Sequence, residues 1–356
     1  MSKKLKILFW IGDLKDPSPR FRFLQFIEPL REKGIIVDTV FTNPSRNRKN
    51  KFEKGILNRV EVLLVLMMRL FQVIWVALFK AWRYDVVFTN KDILPNTNIY
   101  LAEKILSMSN PKLIFDIDDA IYLSNRGPKL NIIWKNYKGI IAGSPVHIEY
   151  IQPKFDLKCF YIPMAIDTQK YQPQTSRKEG KIRIGWSGSH HTNVQCLPVM
   201  KVCMEMLAEQ LDFELIVISN LDPEIKWKNV QSRFIQWTDD TEVEGLQQID
   251  IGLMPLEDGP FERGKCALKA VQYMAIGIPA LVSPVGVNTL IIQDDFNGFQ
   301  CKDNQAFVDH ILTLANNENK RIEMGKNARK TVEEKYAIEV LTQKYIDAFT
   351  EIATTK

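Results

Sequence analysis

Residues 264–286, which read GKCALKAVQYMAIGIPALVSPVG, decide the fold of this chain. Apolar residues recur at helical spacing in the first half, which predicts a helix from Gly264 to Ala275. Gly277 follows at the place where a helix commonly ends on a glycine. The next run, 278–283, is short and apolar, as a buried parallel strand is. A helix, a tight turn and a buried strand together predict one unit of an open α/β sheet.

The polar side of this predicted helix carries Lys265, Lys269 and Gln272. Because these residues lie four and three positions apart, they share one face of a helix. Arg263 stands just before the predicted start, where helical N–H groups lack partners within the helix. Cations beside a helix N-terminus suit a phosphate, and an amide suits a hydroxyl-rich group. The pattern therefore predicts a ligand site, with an ordinary amphipathic helix as the alternative.

The same segment resembles the donor-site motif of GT-B glycosyltransferases, especially retaining glycosyltransferase family 4. That family carries Glu-x7-Glu followed by Ala-Met-Ala-x-Gly-x-Pro-Val, and residues 272–279, QYMAIGIP, match the second half. Gln272 replaces the second glutamate and Gly264 the first. An amide still hydrogen-bonds ribose hydroxyls, whereas the loss at Gly264 removes a contact to the donor sugar. The resemblance implies a nucleotide-sugar site that includes Arg263, Lys265, Lys269 and Gln272.

Strand-like and helical runs alternate along the whole chain, as they do in proteins built on parallel sheets. A length of 356 residues is enough for about two domains. The predicted strands are 5–11, 35–41, 86–89, 113–116, 139–142, 160–162, 182–186, 213–218, 234–237, 249–254 and 280–283. The main predicted helices are 21–33, 96–108, 194–211, 305–315, 320–335 and 338–352.

The polar stretch 172–180, QPQTSRKEG, has no apolar period and is the predicted linker. We therefore predict an α/β protein with two doubly wound, Rossmann-like domains that face a cleft, the GT-B arrangement. The N-terminal domain, 1–171, is expected to bind the acceptor, and the C-terminal domain, 181–337, the nucleotide sugar. Residues 338–356 are expected to form a helix that packs back on the N-terminal domain.

A small-residue loop, 185–192, follows the first predicted strand of the C-terminal domain. Gly188 and Ser189 there allow backbone N–H groups to approach a pyrophosphate closely. The resemblance implies that Gly188 meets the donor diphosphate, and a plain turn is the alternative. His190 and His191 lack a third ligand at suitable spacing, so we predict no metal site.

Three carboxylates end the fourth predicted strand, at Asp116, Asp118 and Asp119. An extended chain places Asp116 and Asp118 on one face, and such clusters bind cations, bases or sugar hydroxyls. Asp-x-Asp is also the metal motif of GT-A transferases, against which the two-domain rhythm argues. The resemblance implies that Asp118 and Asp119 face the acceptor and that one assists its deprotonation. Helix capping is the alternative for Asp119.

The loop after the first predicted strand, 16–22, reads DPSPRFR. Its prolines end the strand and begin a helix. Arginine binds phosphate bidentately, and the loop resembles a Ser-Arg-x-Arg pattern of similar transferases, here interrupted by Pro19. We expect Ser18, Arg20 and Arg22 to contact a phosphate or the acceptor, with solvated arginines as the alternative.

Charge divides unevenly along the chain. Residues 1–163 hold 26 Lys and Arg against 15 Asp and Glu, whereas residues 164–356 hold 21 against 27. A basic half indicates an anionic partner: nucleic acid, anionic lipid or a phosphate-linked acceptor. Since no nucleic-acid motif is recognisable, we predict no nucleic-acid partner. Of the remaining candidates we favour an anionic membrane surface as the partner of the basic half.

Residues 46–80 join a basic run to an apolar helical run. Between Val62 and Phe79 only Arg69 and Gln72 are polar, and they fall on one narrow stripe with Asn58, Glu61 and Lys80. This combination predicts attachment to an anionic membrane surface. A helix buried within the chain or in a dimer contact is the alternative.

We therefore predict an enzyme that moves a sugar from a nucleotide donor to a hydroxyl acceptor with retention. The acceptor is expected to be lipid-linked or part of a surface polysaccharide, and neither a cofactor nor a metal is required. Five cysteines without a CxxC pair read as reduced thiols, which predicts a cytoplasmic protein at the inner membrane face. A sugar-nucleotide epimerase and a non-catalytic, degenerate transferase are the alternatives.

Overall fold

The structure, a computed structural model, describes residues 4–14, 17–42, 56–95, 97, 99–174 and 180–355. The chain divides into two compact units. Unit 1 comprises Met1–Pro163 and Leu341–Lys356, and unit 2 comprises Met164–Val340. The division falls several residues before the predicted linker, of which residues 175–179 lie outside the described part of the chain.

Unit 1 is built on a six-stranded parallel sheet whose four central strands are almost wholly buried. Its order is β2-β1-β3-β4-β5-β6. The chain passes from β1 to β2 on one side and then to β3 on the other, so the winding reverses between β1 and β3. The strands are β1 Lys6–Ile11, β2 Ile36–Phe41, β3 Val86–Asn90, β4 Leu113–Ile117, β5 Gly139–Ala142 and β6 Lys158–Tyr161.

Helices connect these strands. They are α1 Pro17–Arg22, α2 Ile27–Glu32, α3 Ile56–Phe79, α4 Leu101–Ser109, α5 Gly127–Ile133 and α6 Pro145–Ile151. The predicted helix 21–33 is wrong as a single element, because a short 3-10 turn at Leu24–Phe26 separates α1 from α2. Pro29 has no N–H to donate to the carbonyl of Gln25, so an unbroken helix would lose that bond.

Unit 2 repeats the same winding with a second parallel sheet, in the order β12-β11-β10-β7-β8-β9. Here the reversal lies between β7 and β10. The strands are β7 Ile182–Ser187, β8 Phe213–Ser219, β9 Gln231–Gln236, β10 Ile251–Met254, β11 Ala280–Val282 and β12 Gly298–Gln300. Its helices are α7 His190–Leu207, α8 Glu242–Leu246, α9 Leu268–Ala275, α10 Asn288–Ile291, α11 Asn304–Asn316 and α12 Glu318–Lys335.

The last helix, α13, spans Ile338–Thr354, and its residues from Leu341 onward belong to unit 1. Its aromatic side chains complete the core of that unit. The Phe349 ring contacts Phe88 at 5.2 Å between centroids, and Phe88 stacks on Phe23 at 4.2 Å. The predicted fold class, two doubly wound α/β sheets with a C-terminal helix returning to the first, is therefore confirmed.

Candidate functional site

Open parallel sheets bind ligands beyond the carboxyl ends of their strands, at the point where the winding reverses. In unit 2 this point lies between β7 and β10. Gly188 follows β7 there, and the segment from Pro255 to α9 follows β10. The candidate donor residues of the sequence therefore surround the place where the fold favours a ligand.

The turn that leads into α9 differs from the prediction. The helix begins at Leu268 rather than Gly264, and residues Glu262–Gly264 form a 3-10 turn. Ala267 caps α9 in the left-handed conformation, with φ of 53°. An alanine there is strained by roughly 1–2 kcal/mol, and such outliers cluster at ligand sites. The turn is also closely packed, because a Cβ on Gly286 would lie 2.3 Å from the Arg263 carbonyl oxygen.

We expect Ala267→Gly to raise the free energy of unfolding by about 1 kcal/mol, because glycine adopts positive φ without steric cost. The measurement is a urea midpoint on the full chain. Ala270→Gly, inside α9, is the matched control and should lower stability by at least 0.5–1 kcal/mol. Equal destabilisation by both variants would contradict the strain.

Lys265 and Lys269 flank this turn. The Lys269 Nζ lies 5.0 Å from the centroid of the Trp186 ring, at the end of β7. The Lys265 Nζ lies 3.9 Å from Glu262 Oε1, and its side chain is 17% exposed. Burial raises the pKa of Cys196 in α7, whereas the charges on Lys269 and Lys265 both lower it, so both ammonium groups lie near that thiol. Two cations thus lie beside the reversal point of unit 2, and Glu262 accompanies Lys265.

The loop after β7 has a more structural role than the sequence predicts. The Gly188 N–H donates to the Ile218 carbonyl at 3.0 Å, so it is already bonded within the unit. A Cβ at Gly188 would lie 2.7 Å from the Trp186 ring. The Ser189 hydroxyl caps α7 by accepting from the Thr192 N–H at 3.3 Å. Gly188 is therefore required for packing against Trp186, and its predicted contact with the donor diphosphate stays a prediction.

Two further predicted donor residues are engaged elsewhere. Gln272 is buried, and its amide nitrogen donates to Glu242 Oε1 at 3.1 Å and to the Tyr171 hydroxyl at 3.3 Å. The prediction that this amide faces ribose is therefore corrected, because the side chain is buried and its amide nitrogen already donates to two other buried side chains. The exposed Arg263 guanidinium pairs bidentately with Asp258, at 2.6 and 2.9 Å. A ligand would have to compete with that carboxylate for Arg263.

In unit 1, polar side chains gather at the carboxyl ends of β1, β3 and β4. The Asn90 amide donates to the Ser18 hydroxyl at 2.9 Å, and Lys91 Nζ pairs with Asp118 Oδ1 at 3.0 Å. Burial opposes ionisation of Asp118, but Lys91, Ser18 and Arg22 together lower its pKa. Ser18 and Asp118, both predicted from the sequence, are therefore brought together at the reversal point of this sheet.

Arg22 has a structural role, which corrects its prediction as a phosphate contact. Its guanidinium is buried, pairs with Asp116 at 2.7 Å, and donates to the carbonyls of Ile162 at 2.7 Å and Pro163 at 3.1 Å. Burial raises the pKa of Asp116 to about 6, although Arg22 opposes that shift. The pair joins β4 to the chain after β6 and leaves little of either group for a ligand.

Arg20 and Asp119 are half-buried in unit 1. The Arg20 guanidinium lies 4.4 Å from the Phe21 ring centroid. Asp119 accepts from the Ile121 N–H through its backbone carbonyl at 2.7 Å. Both residues stand near the Ser18 and Asp118 cluster in sequence, and their predicted roles toward an acceptor stay predictions.

Sequence reasoning missed two site residues, Asn90 and Lys91. Lys91 follows β3 directly and has φ of 58°, a strained backbone for a lysine. The available signal was its position immediately after a buried strand next to the reversal point. Within the described ranges, the structure places no three His, Cys, Asp or Glu side chains together as metal ligands.

Comparison with known proteins agrees with this geometry. Residues 225–331 match the family model described as Glycosyl transferases group 1. The matched segment includes Lys265, Lys269 and the turn between them. No curated protein matches the chain.

Solved structures match nearly the whole chain. Sucrose-phosphate synthase from Thermosynechococcus elongatus has 15% identity and a TM-score of 0.69, covering 98% of this chain and 99% of that chain. A glycosyltransferase from Rickettsia africae ESF-5 has 13% identity and a TM-score of 0.71, over 99% and 100%. Anabaena Alr3699/HepE, in complex with UDP and glucose, has 16% identity and a TM-score of 0.62, over 98% and 100%.

These matches confirm the resemblance to GT-B glycosyltransferases and the expectation of a glycosyltransferase enzyme. At such low sequence identity the solved structures establish the fold. The similarity to transferases at the level of sequence comes from the family model and applies to the residues that it matches, 225–331. The chain thus has the two-unit GT-B fold, and residues 225–331 of its second unit are similar to glycosyl transferases group 1.

Proposed function

We propose that the protein transfers a sugar from a nucleotide-sugar donor, bound by unit 2, to a hydroxyl acceptor, bound by unit 1. The observation that carries the proposal is the pair Lys265 and Lys269. They flank the strained turn at the start of α9 and lie within the family match, and Lys269 lies 5.0 Å from the centroid of the Trp186 ring. Two ammonium groups beside a helix N-terminus suit a diphosphate leaving group, whose charge grows as the glycosidic bond breaks.

The donor is proposed to be a nucleoside diphosphate sugar, and uridine donors are the first to test. This choice is supported by Anabaena HepE, whose structures contain UDP and UDP-glucose. We also propose that transfer proceeds with retention, which the resemblance to family 4 supports. We further propose that no divalent cation is needed, since the lysine charges oppose the charge of the leaving diphosphate.

Unit 1 is proposed to bind the acceptor at Ser18, Asn90, Lys91 and Asp118. A hydroxyl-rich acceptor can exchange hydrogen bonds with Ser18 and Asn90, while Lys91 suits a phosphate-linked one. Because its pKa is lowered, Asp118 is a weak base and orients the acceptor hydroxyl more readily than it deprotonates it. The proposed acceptor is a lipid-linked saccharide or a surface glycan.

The test is a turnover panel with UDP-, GDP-, ADP- and CMP-sugars and a set of lipid-linked and free saccharide acceptors. We expect one donor to support transfer, and proton NMR of the product to show that the anomeric configuration is retained. We expect EDTA to leave the rate of transfer unchanged. Loss of turnover in EDTA with recovery on magnesium or manganese would contradict metal independence. Donor interconversion without transfer would favour an epimerase, and tight binding without turnover a degenerate transferase.

A further inference from the structure

The outward face of α3 is apolar along nearly its whole described length. From Val62 to Phe79 every residue with an exposed side chain is apolar. Exposure reaches 69% at Phe71 and 63% at Leu78. The stretch Val60–Arg83 is long and apolar enough to cross a membrane by composition, and only 17% of its most apolar window is buried.

The polar residues of the stretch 62–80 are turned toward the protein, whereas Glu61, just before this stretch, is exposed. The Arg69 side chain is buried. Gln72 Nε2 donates to the Phe41 carbonyl at 2.7 Å, and Lys80 Nζ donates to the Thr39 carbonyl at 3.3 Å. Both carbonyls belong to β2. A surface helix of a water-soluble protein has the opposite arrangement, with its apolar stripe inward and its polar residues outward.

We propose that α3 docks unit 1 on the surface of an anionic lipid bilayer, with its apolar outward face in the boundary between headgroups and acyl chains. The helix axis lies parallel to the membrane plane. This inference rests on α3 alone and does not depend on the proposed transferase chemistry.

A lipid bilayer fits this face better than a protein partner does. Protein interfaces contain about one hydrogen bond per 100–200 Å² and a polar rim. The 18 residues from Val62 to Phe79 extend about 27 Å and present no outward polar side chain for such bonds. Acyl chains require none. The face therefore lacks the features that a second copy of the chain would need.

The end of α3 has the composition of a membrane interface. Trp75, Phe79 and the neighbouring Trp82 are all exposed, and the Arg83 guanidinium lies 5.1 Å from the Trp82 ring centroid. Tryptophan and arginine commonly lie at the headgroup level. The excess of 26 Lys and Arg over 15 Asp and Glu in residues 1–163 favours anionic lipid. Residues 46–55 of the predicted basic run lie outside the described chain, as do the side chains of 56–59.

Contacts with the sheet favour a helix that lies on the bilayer over one that spans it. Spanning would break the bonds from Gln72 and Lys80 to β2 and would bring the Arg69 charge into hydrocarbon. These polar residues can stay in place only if one side of α3 remains on unit 1.

The test is co-sedimentation of the full chain with vesicles of phosphatidylcholine alone or mixed with phosphatidylglycerol, at low and high salt. We expect binding to the anionic vesicles, weakened by salt, and at least a tenfold loss of bound protein in Phe71→Glu/Trp75→Glu. Ile132→Glu, at a 43% exposed position in α5, is the matched control and should bind as the wild type does. Unchanged binding by the double variant would overturn the proposal.

A second measurement, of tryptophan fluorescence, uses variants that introduce no charge on α3. It therefore does not depend on whether the glutamate variants fold. Brominated lipid should quench wild-type tryptophan fluorescence, and the quenching should fall in Trp75→Phe and Trp82→Phe. Absence of quenching would overturn the proposal. A dimer detected by light scattering, together with no vesicle binding, would show that α3 has another partner. Neither measurement depends on sugar transfer. The two measurements therefore distinguish a failure of this proposal from a failure of the proposed function.

Discussion

Replacing Asp116 by alanine is expected to lower the free energy of unfolding by about 3–5 kcal/mol, because it leaves the buried Arg22 guanidinium without its carboxylate. Arg22 is 1% exposed and Asp116 is fully buried, so water cannot replace the lost partner. The measurement is urea unfolding of the full chain, followed by hydrogen exchange of the β3 and β4 amides, which report on unit 1.

Lys158→Met is the matched control. It removes one partner of the Lys158–Glu351 pair in the same unit, whose side chains are 43% and 51% exposed. Such surface pairs contribute at most about 1 kcal/mol, so this variant should be nearly neutral. If Asp116→Ala were as stable as the control, the Arg22–Asp116 pair would not hold the sheet together, and Arg22 could again be considered for ligand binding.

The second large effect is expected in ligand affinity. Lys269→Ala should weaken binding of a nucleoside diphosphate by about 10- to 150-fold, because a charge-assisted hydrogen bond contributes about 1.5–3 kcal/mol. Folding should stay intact, since the Lys269 side chain is only partly buried. Calorimetric titration with the nucleoside diphosphate of the preferred donor measures the change.

Lys330→Ala is a suitable control for that titration. Lys330 is an exposed lysine of α12 in the same unit, 3.9 Å from Glu334, so its removal changes net charge equally. We expect its affinity to equal that of the wild type. Equal affinities for Lys269→Ala and the wild type would remove Lys269 from the diphosphate site.

Most of the fold could be predicted because the buried strands are continuous apolar runs. β5 at Gly139–Ala142 has its predicted bounds, and β1 and β2 differ from theirs by one residue. β12 at Gly298–Gln300 was not predicted, since its three residues are too few to show a period. Its place is set by packing, because a Cβ on Gly298 would lie 2.3 Å from the Ala280 carbonyl oxygen of β11.

The site was less predictable where a side chain finds a distant partner. Gln272 matches its motif position, yet its amide bonds to Tyr171, 101 residues away along the chain. Arg22 bonds to Asp116 at a separation of 94 residues. Local patterns cannot show such contacts. Lys265 and Lys269 could be predicted to lie beside one turn because they are close in sequence, and their contact with a ligand stays a prediction.

For α3 the sequence showed the narrow polar stripe but not its direction. The usual expectation is that polar residues face water. The structure turns Arg69 and Gln72 inward, and the Gln72 amide donates there to the Phe41 carbonyl of β2. Only the three-dimensional placement shows that the exposed face is the apolar one.

A crystal structure of the protein soaked with the nucleoside diphosphate of its preferred donor tests the central claim most directly. We predict that diphosphate oxygens lie within hydrogen-bonding distance of the Lys265 and Lys269 ammonium groups, at the turn before α9. A nucleotide bound elsewhere in unit 2, with both lysines out of contact, would contradict the account.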